Sequence, residues 1–465
     1  MMTSMSTAPN SAQPNKSQKP GHQANLVAHC PALFLAAPAS GQGKTTITAA
    51  LARYHRDLGR KVRVFKMGPD YLDPQILEQA SGHPVTQLDL WMAGVEYCRH
   101  QFYLAAKSAD LILVEGAMGL FDGEPSSADL ATTFGIPVAL VIDVKGMAQT
   151  AAAVALGLAS YRDDVEFYGF IANNCGTERH AQLIRDALDS RMPLLANLAR
   201  DPEVALPERH LGLVQANEVR DELEQRFNLG KAWLGEQSIC DLPKAIAFES
   251  QHIEPPKPLL AGTKIGIAKD AAFSFIYTAN TALLEAMGAQ ISYFSPLKDE
   301  RLPKVDALWF AGGYPELHAK ELAENSTMLD DIREFNAKNK PILAECGGFL
   351  YCLEELTDLN EVTHEMLGIL AGQGAMRGKR GCQGMQAAML PEGEIRAHAH
   401  HRSRSHNTPS PIAYGKRQRH PAPGESIYRQ AGLTASYLHL FFPSNPEAVA
   451  KIFTRPKAPA SLAEV

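Results

Sequence analysis

From about residue 26 the chain alternates between short apolar segments and helical segments, and this alternation constrains the fold more than any other feature of the sequence. Strands that are apolar at every position are buried on both faces, as in a parallel sheet with helices on each side. The predicted strands of the first half are residues 32–37, 62–65, 111–114, 138–141 and 167–171, and predicted helices include 45–58 and 178–190. This half is therefore predicted to be an α/β domain.

A second alternation predicts a second α/β domain, with strands at residues 264–268, 290–294, 307–310 and 341–344. Between the two, residues 253–258 (Ile-Glu-Pro-Pro-Lys-Pro) indicate a linker, because three prolines exclude helix and sheet interior. Residues 1–25 hold no acidic and almost no large apolar side chain, so we expect a disordered tail. The predicted organisation is a tail at 1–25, a first domain at 26–230, a linker at 231–261 and a second domain at 262–455.

Composition excludes several classes of protein. A net charge of -6 argues against a nucleic-acid partner, which would require an excess of positive charge. Seven cysteines in 465 residues, with no Cys-x-x-Cys pair, argue against a disulfide scaffold and a structural zinc site. No apolar run approaches the ~18 residues of a membrane span. Residues 26–39 loosely imitate a secretion signal, but they lead directly into a glycine-rich loop, so we expect a buried strand and a cytoplasmic protein with reduced thiols.

The glycine-rich loop at residues 40–46 (Ser-Gly-Gln-Gly-Lys-Thr-Thr) follows a predicted strand and precedes a predicted helix. In such a loop glycines let backbone N–H groups approach phosphate oxygens, a lysine reaches the outer phosphates, and a hydroxyl binds Mg²⁺. The predicted nucleotide-binding residues are Gly41, Gly43, Lys44, Thr45 and Thr46. The match is imperfect, since the first glycine of the motif is replaced by proline at position 38, and the alternative is a chance glycine-rich turn.

Acidic residues follow other predicted strands of this half. Glu115 comes directly after four apolar residues, which places it at the carboxyl edge of the sheet beside the phosphate loop, where it and Thr45 are the predicted magnesium ligands. Lys66, Asp70 and Asp73 follow the second predicted strand, also at that edge. With Asp122, they form the predicted substrate or phosphate site. The alternative for each single aspartate is a turn or a helix cap.

Cys346 lies between a predicted strand and a predicted helix, with small residues two positions away on either side. That spacing is typical of a nucleophile elbow, whose helix N-terminus favours the thiolate. In such a turn the N–H of Gly347 is placed to bind an oxyanion, and the glycines at 312–313 offer a second N–H, assigned to Gly313. The alternative is an inert cysteine in the core.

A cysteine nucleophile needs a base distant in sequence, and His439 is the candidate. It lies in an apolar strand near the end of the second domain, where a single histidine is more often a core residue.

Residues 377–420 differ in charge from the rest of the chain, with nine Lys or Arg against two Glu. They are interpreted either as a solvated surface loop or as a patch that attracts an anionic substrate.

Together these motifs resemble the cobyrinate a,c-diamide synthase family of cobalamin biosynthesis, which includes hydrogenobyrinate a,c-diamide synthases. The motifs that carry the resemblance are APASGQGKTT (37–46), GPDYLDP (68–74), VEGAMGLFDG (114–123), GMAQ (146–149), AAFSF (271–275), GGYPE (312–316), AECGG (344–348) and YLH (437–439). They span all of the chain except its ends.

The resemblance implies an N-terminal P-loop domain similar to dethiobiotin synthetase and a C-terminal class I glutamine amidotransferase domain. It implies that ATP phosphorylates the a and c acetate carboxylates of a corrin, and that Cys346 and His439 release ammonia from L-glutamine to displace the phosphate. ATP as co-substrate, Mg²⁺ and a polycarboxylate corrinoid follow from it; nucleic acid and membrane are not expected as partners, and a homodimer is left open.

Three features depart from the family pattern. Class I glutaminases have a Glu two residues after the catalytic His, where this chain has Phe441. Residues 396–403 are an altered form of a family segment; their histidines imitate a metal cluster, but a structural or substrate-side role is favoured. The tail at 1–25 lies outside the family pattern.

Two alternatives to cobyrinate amidation remain. One is hydrogenobyrinate, the cobalt-free corrin of the aerobic pathway, since no motif senses the metal of the ring. The other is a partition-type ATPase without catalytic amidation, although such proteins have a second lysine where this chain has Ala39 and lack a glutaminase half.

Overall fold

A computed structural model describes residues 26–209, 212–213, 219–251, 254–377 and 381–454. The predicted tail at 1–25 and residue Ile253 of the predicted linker lie outside these ranges.

The first domain is built on a sheet of seven parallel strands in the order β3-β2-β4-β1-β5-β6-β7, joined by one antiparallel strand, β10. The strands are β1 (Leu26–Ala36), β2 (Val62–Met67), β3 (Thr86–Leu88), β4 (Leu111–Glu115), β5 (Val138–Asp143), β6 (Phe167–Cys175), β7 (Leu194–Ala199) and β10 (Ala245–Ser250). Two short strands, β8 (Glu208–Arg209) and β9 (Gly212–Leu213), form a separate pair. The predicted parallel sheet is confirmed.

Helices cover both faces of this sheet. They are α1 (Lys44–Asp57), α2 (Asp73–Ser81), α3 (Val95–Ala106), α4 (Ser127–Phe134), α5 (Gln149–Ala159), α6 (Glu178–Arg185) and α7 (Arg220–Leu234). Alternate side chains of β1 enter different cores: Leu33 and Leu35 pack with α1, whereas Phe34 and Ala36 pack with α3 and α4. Because this part of β1 is buried on both faces, its sequence is an uninterrupted apolar run.

The predicted boundary at residue 230 and the linker at 231–261 are wrong in part. Helix α7 continues to Leu234, and β10 pairs antiparallel with the first half of β1, from Leu26 opposite Ser250 to Pro31 opposite Ala245. The prolines at 255–258 do exclude regular structure, but the preceding residues belong to the first sheet. Since only Phe248 and Ser250 of β10 are buried, the strand has no continuous apolar run to reveal it.

The second domain contains a ten-stranded sheet in the order β12-β11-β13-β14-β23-β22-β21-β18-β19-β24, parallel from β12 to β23 and antiparallel beyond. Its strands are β11 (Lys264–Ala268), β12 (Gln290–Phe294), β13 (Ala307–Phe310), β14 (Ile342–Glu345), β18 (Gln383–Leu390), β19 (Gly393–His400), β21 (Ala413–Arg417), β22 (Pro423–Gln430), β23 (Leu433–Ser436) and β24 (Leu438–Leu440). The predicted second α/β domain is confirmed.

A four-stranded sheet lies beside it, in the order β16-β15-β17-β20. Its strands are β15 (Glu355–Thr357), β16 (Thr363–Glu365), β17 (Gln373–Met376) and β20 (Ser403–His406). The helices of this domain are α8 (Thr278–Ala286), α9 (Ala319–Glu324), α10 (Ser326–Ala337), α11 (Gly347–Cys352) and α12 (Pro446–Phe453).

The basic segment 377–420 is not a surface loop. In the part that the structure describes, it contains β18, β19, β20 and β21, which belong to the two sheets of the second domain. Within the described ranges, no helix is long and apolar enough to cross a membrane.

Candidate active site between the two domains

The phosphate loop connects β1 to α1 in the conformation that its sequence predicts. Gly41 and Gly43 have φ of 79° and 92°, a region that favours glycine. A Cβ on Gly43 would lie 2.3 Å from Nδ2 of Asn173, which donates a hydrogen bond of 2.9 Å to the carbonyl of Gln42. Gly43 is therefore required both for its backbone angle and for the approach of Asn173.

Lys44 begins α1 and is almost fully buried. Its Nζ donates to the carbonyl oxygens of Met118 at 3.0 Å and Ala39 at 3.3 Å. Burial, together with the neighbouring Lys66, lowers the pKa of Lys44. In the described residues the hydrogen bonds of Lys44 go to neutral carbonyls, so no carboxylate is hydrogen-bonded to Nζ in place of an anion at this loop.

Lys66 is the centre of a buried charge cluster at the carboxyl edge of the first sheet. Its Nζ lies 2.7 Å from Oε1 of Glu115, 2.7 Å from Oδ2 of Asp73 and 3.8 Å from Oδ2 of Asp70. Burial opposes the charge of Lys66, but the three carboxylates outweigh it and raise its pKa well above the usual value. The sequence prediction that these four residues meet at one edge is confirmed.

Thr45 and Glu115 have the chemistry of a magnesium site. Oγ1 of Thr45 donates to Oε1 of Glu115 at 2.9 Å, and the buried Oε2 of Glu115 has no hydrogen-bond partner among the described residues. A hydroxyl and a carboxylate are ligands that Mg²⁺ accepts when substrate phosphates supply others. No group of three or more His, Cys, Asp or Glu in the described ranges could hold a metal ion. The residues fit an ion bound jointly with a nucleotide.

Asp122 has a different environment from the other predicted acidic residues. It is exposed, and its Oδ2 accepts a hydrogen bond of 3.0 Å from the N–H of Gly119, which is the turn role given as the alternative. It borders a second cavity of about 330 Å³, beside Gly68 and Pro69, rather than the cavity that contains Lys66.

Cys346 occupies the predicted turn between β14 and α11. Its φ of 47° and ψ of -101° are unusual for a non-glycine residue, and its N–H donates to the carbonyl of Ser436 at 2.8 Å. A Cβ on Gly348 would lie 2.3 Å from the carbonyl oxygen of Phe310, so the turn requires a small residue there. The geometry of a nucleophile elbow is confirmed.

The thiol of Cys346 is not stabilised as a thiolate in this conformation. Burial, followed by the nearby carboxylate of Glu316, raises its pKa well above the usual value. The helix N-terminus was expected to favour the thiolate, but desolvation outweighs it. Glu316 is itself buried, which raises its pKa to about 7. Since the thiol is the stable form, attack by the sulfur requires a base to accept its proton.

The two predicted oxyanion donors lie together. A Cβ on Gly347 would be 2.9 Å from the backbone nitrogen of Gly313 and 2.8 Å from Cδ of Pro315. A Cβ on Gly313 would be 2.1 Å from the carbonyl oxygen of Ala272. There is therefore no room for a side chain at either position.

His439 lies in β24, which pairs with β19 and is linked by a side-chain hydrogen bond to Glu345, the last residue of β14 before Cys346. Oε1 of Glu345 accepts from the N–H of Leu440 at 2.9 Å, and its Oε2 accepts from Nε1 of Trp309 at 3.1 Å. Asn280 binds both the carbonyl of Leu440 and the N–H of Phe442, each at 2.8 Å. Burial raises the pKa of Glu345 to about 8 despite these bonds. The segments of Cys346 and His439 are thus held together by buried hydrogen bonds.

The imidazole of His439 is held by packing. Neither ring nitrogen has a hydrogen-bond partner among the described residues. The ring centroid lies 4.8 Å from that of Tyr71 and 6.1 Å from that of Phe275. Phe441, which stands where class I glutaminases have a Glu, is fully buried. Burial lowers the pKa of His439 well below its usual value, so the ring is neutral in this conformation.

The altered histidine segment lies beside this site, and its three histidines border the same cavity as Cys346. His398 lies opposite His439 in the β19–β24 pairing, and burial lowers its pKa to about 3. His401 stacks on Tyr437 with centroids 3.7 Å apart. The structural or substrate-side role expected for residues 396–403 stays a prediction.

A single cavity of about 1010 Å³ reaches both sites. Among its lining residues are the following predicted residues: Gly41, Gly43, Lys44, Thr45, Thr46, Lys66, Asp70, Asp73 and Glu115 from the first domain, and Gly313, Cys346 and Gly347 from the second. The sequence prediction missed Asn173 and Asn174, which also border the cavity. In the sequence they form a polar pair near the end of the otherwise apolar strand β6, but this pair matches no known motif.

The parallel sheet with its phosphate loop, and the second sheet with its cysteine elbow, define a class of enzyme in which a P-loop nucleotide-binding domain is joined to a glutamine amidotransferase domain. Family models agree: residues 33–214 match the CobQ/CobB/MinD/ParA nucleotide binding domain, and residues 264–447 match the CobB/CobQ-like glutamine amidotransferase domain.

Curated relatives identify the family within that class. The chain is 50% identical to hydrogenobyrinate a,c-diamide synthase of Stutzerimonas stutzeri (strain A1501), covering 91% of this chain and 98% of that protein. It is 48% identical to the protein of the same name from Pseudomonas aeruginosa, with the same two coverages. It is 44% identical to cobyrinate a,c-diamide synthase of Herminiimonas arsenicoxydans, covering 91% and 96%. The chain belongs to the cobyrinate and hydrogenobyrinate a,c-diamide synthase family, which confirms the resemblance.

Proposed function

We propose that this chain uses ATP and glutamine to amidate the a and c acetate carboxylates of cobyrinate in cobalamin biosynthesis. The observation that carries the proposal is the shared cavity, which borders both the phosphate loop and Cys346. Ammonia released at Cys346 can reach an activated carboxylate near Lys44 without leaving the protein. The glutaminase half argues against the partition-type ATPase.

In the glutaminase step, neutral His439 accepts the proton of Cys346 as the sulfur attacks the amide carbon of glutamine. The N–H groups of Gly313 and Gly347 stabilise the oxyanion. His439 then returns the proton to the leaving nitrogen, and collapse of the intermediate releases ammonia and leaves a thioester. Water then hydrolyses the thioester to glutamate. Since burial disfavours a free thiolate, transfer to His439 and attack are expected to be concerted.

In the ligase step, a carboxylate oxygen of the corrin attacks the γ-phosphorus of ATP, ADP leaves, and an acyl phosphate forms. Ammonia then adds to the acyl carbon and phosphate leaves, which gives the amide. Lys44 neutralises charge on the phosphates, while Lys66 holds Asp73 and Glu115 in place. Mg²⁺, held by Thr45 and Glu115 together with the nucleotide, would supply further charge neutralisation.

Hydrogenobyrinate is the second candidate substrate. The relatives at 50% and 48% identity carry the name of the enzyme that acts on it, whereas the one at 44% is named for cobyrinate. The two corrins differ only in the cobalt ion. An assay of both with ATP, Mg²⁺ and glutamine decides between them, since the native substrate should have the larger kcat/KM.

The test of the two-site mechanism exchanges the nitrogen source. Cys346→Ala should lose glutamine-dependent amidation and keep amidation with free ammonia, whereas Lys44→Ala should lose both. If Cys346→Ala amidates with glutamine, the assignment of the glutaminase is wrong.

We also propose a cytoplasmic location, which is supported by seven cysteines that are all free thiols. The homodimer remains part of the proposal, and light scattering after size-exclusion chromatography is its test.

A further inference from the structure

The loop after β2 contributes to both sites. Asp70 and Asp73 lie on the first domain's side, where both approach Lys66. Tyr71, between them, packs against the second domain: its ring stacks on Phe275 with centroids 4.9 Å apart and planes 13° apart. Its hydroxyl is 2.6 Å from the hydroxyl of Tyr277. The loop of the proposed phosphorylation site is therefore attached to the glutaminase domain by both the ring and the hydroxyl of Tyr71.

The same ring contacts the predicted glutaminase base. The centroids of Tyr71 and His439 are 4.8 Å apart, and their planes are inclined by 37°. Other glutaminase-type sites orient the histidine with an acidic side chain, but in the described residues both nitrogens of His439 lack a hydrogen-bond partner. The orientation of His439 therefore depends on the rings beside it, and Tyr71 is the one supplied by the other domain.

We propose that Tyr71 is a positioning residue for His439, so that glutamine hydrolysis depends on the loop that forms the phosphorylation site. The inference rests on the proposed role of His439. Proton transfer requires the imidazole to point at the thiol, and small misplacements reduce rates strongly. Tyr71 is one residue from Asp70 and two from Asp73, and both aspartates contact Lys66. A shift of this loop that changes those contacts would therefore also move the ring of Tyr71 against the imidazole of His439.

The test compares Tyr71→Leu with Tyr71→Phe. Leucine removes the aromatic ring, whereas phenylalanine keeps the stack and removes only the hydroxyl. Tyr71→Leu should lower kcat for glutamine hydrolysis at least tenfold with KM for glutamine within threefold, and Tyr71→Phe should restore kcat to within threefold. Amidation with free ammonia should be measured on the same preparations. In Tyr71→Leu its fold-loss should be at most one fifth of the fold-loss in glutamine hydrolysis.

Tyr97→Leu is the matched control. Tyr97 also belongs to the first domain and packs against the second, with its ring centroid 5.6 Å from that of Phe441. Its removal should leave glutamine hydrolysis within threefold, because among the described residues the rings that contact His439 are those of Tyr71 and Phe275. An equal loss in Tyr97→Leu, an equal loss in Tyr71→Phe, or no loss in Tyr71→Leu would overturn the inference.

Two further variants separate this inference from the proposed function. His439→Asn and Cys346→Ala should each abolish glutamine hydrolysis. If either keeps it, the proposed glutaminase site fails; if both lose it while Tyr71→Leu is unchanged, only the role of Tyr71 fails.

Discussion

Gly312 lies against the imidazole of His439, such that a Cβ on this glycine would fall 2.2 Å from Cε1 and 2.9 Å from Nδ1 of the ring. A Cβ cannot be accommodated at these distances, and the imidazole is also packed against the ring of Tyr71, with centroids 4.8 Å apart. Gly312→Ala is therefore expected to displace His439 and lower kcat for glutamine hydrolysis at least a hundredfold. Amidation with free ammonia should stay within threefold, which a steady-state assay with each nitrogen source measures.

Gly157→Ala is the control for this prediction. Gly157 lies in α5 with nothing within 4 Å of its Cβ position, so alanine should leave both activities unchanged and stabilise the helix by ~1 kcal/mol. Equal loss of both activities in Gly312→Ala would contradict the prediction, since it would indicate general misfolding.

Lys66 and Glu115 should be energetically coupled. Both are buried, so Lys66→Met leaves the carboxylates of Glu115, Asp70 and Asp73 without their shared partner. We expect a loss of about 3–5 kcal/mol in the free energy of unfolding. The double variant Lys66→Met/Glu115→Gln should be more stable than the sum of the single losses predicts, by about 1–3 kcal/mol. Urea unfolding of all four proteins measures the coupling, and additive losses would refute it.

Arg417 should contribute to corrin binding through charge. It borders the smaller cavity beside Gly68 and Pro69, whereas the adjacent Lys416 is exposed and does not border it. Arg417→Gln should raise KM for the corrin about fivefold, equivalent to ~1 kcal/mol, and Lys416→Gln should have little effect. Raising the salt concentration should increase KM for the corrin but not for glutamine. Equal salt effects on both substrates would rule out this role.

His55 should make stability depend on pH. It is buried, Nη1 of Arg60 lies 2.6 Å from its Nδ1, and burial, with Arg60, lowers its pKa to about 4 from the ordinary 6.5. Because the unfolded chain binds the proton more tightly, the stability due to neutral His55 is present above pH 6.5 and is lost as the pH falls towards 4. Between pH 7 and pH 5 the loss should be about 2 kcal/mol.

His55→Gln removes this titration and should therefore show a smaller decrease in the free energy of unfolding over the same interval. Urea unfolding at both pH values measures the difference. Identical decreases in the two proteins would show that His55 titrates normally.

Local sequence patterns predicted the parts of the site that are formed by neighbouring residues. The phosphate loop, Glu115 at the end of β4 and the turn at Cys346 each follow from a few contiguous residues, and the structure places them as predicted. The meeting of Lys66 with Asp73 followed from one rule, that parallel strands end at the same edge.

Contacts between distant residues could not be predicted in the same way. The bonds from Glu345 and Asn280 to the strand of His439 join positions far apart in sequence, and no local pattern shows which backbone groups these side chains bind. The contact between the rings of Tyr71 and His439 also depends on how the two domains meet, which no periodicity encodes. Strand β10 was missed because an edge strand with few buried residues lacks an apolar run.

Strand β10 has a consequence for the order in which the protein is made. The first half of β1 pairs with residues that leave the ribosome about 220 positions later. At roughly 5–20 residues per second, that delay is on the order of 10–45 s. During this time the backbone groups of Leu26–Pro31 on that side have no sheet partner. The ATP domain therefore completes its sheet only after α7 and the segment beyond it are synthesised, and a fragment ending at residue 230 would expose the start of its first strand.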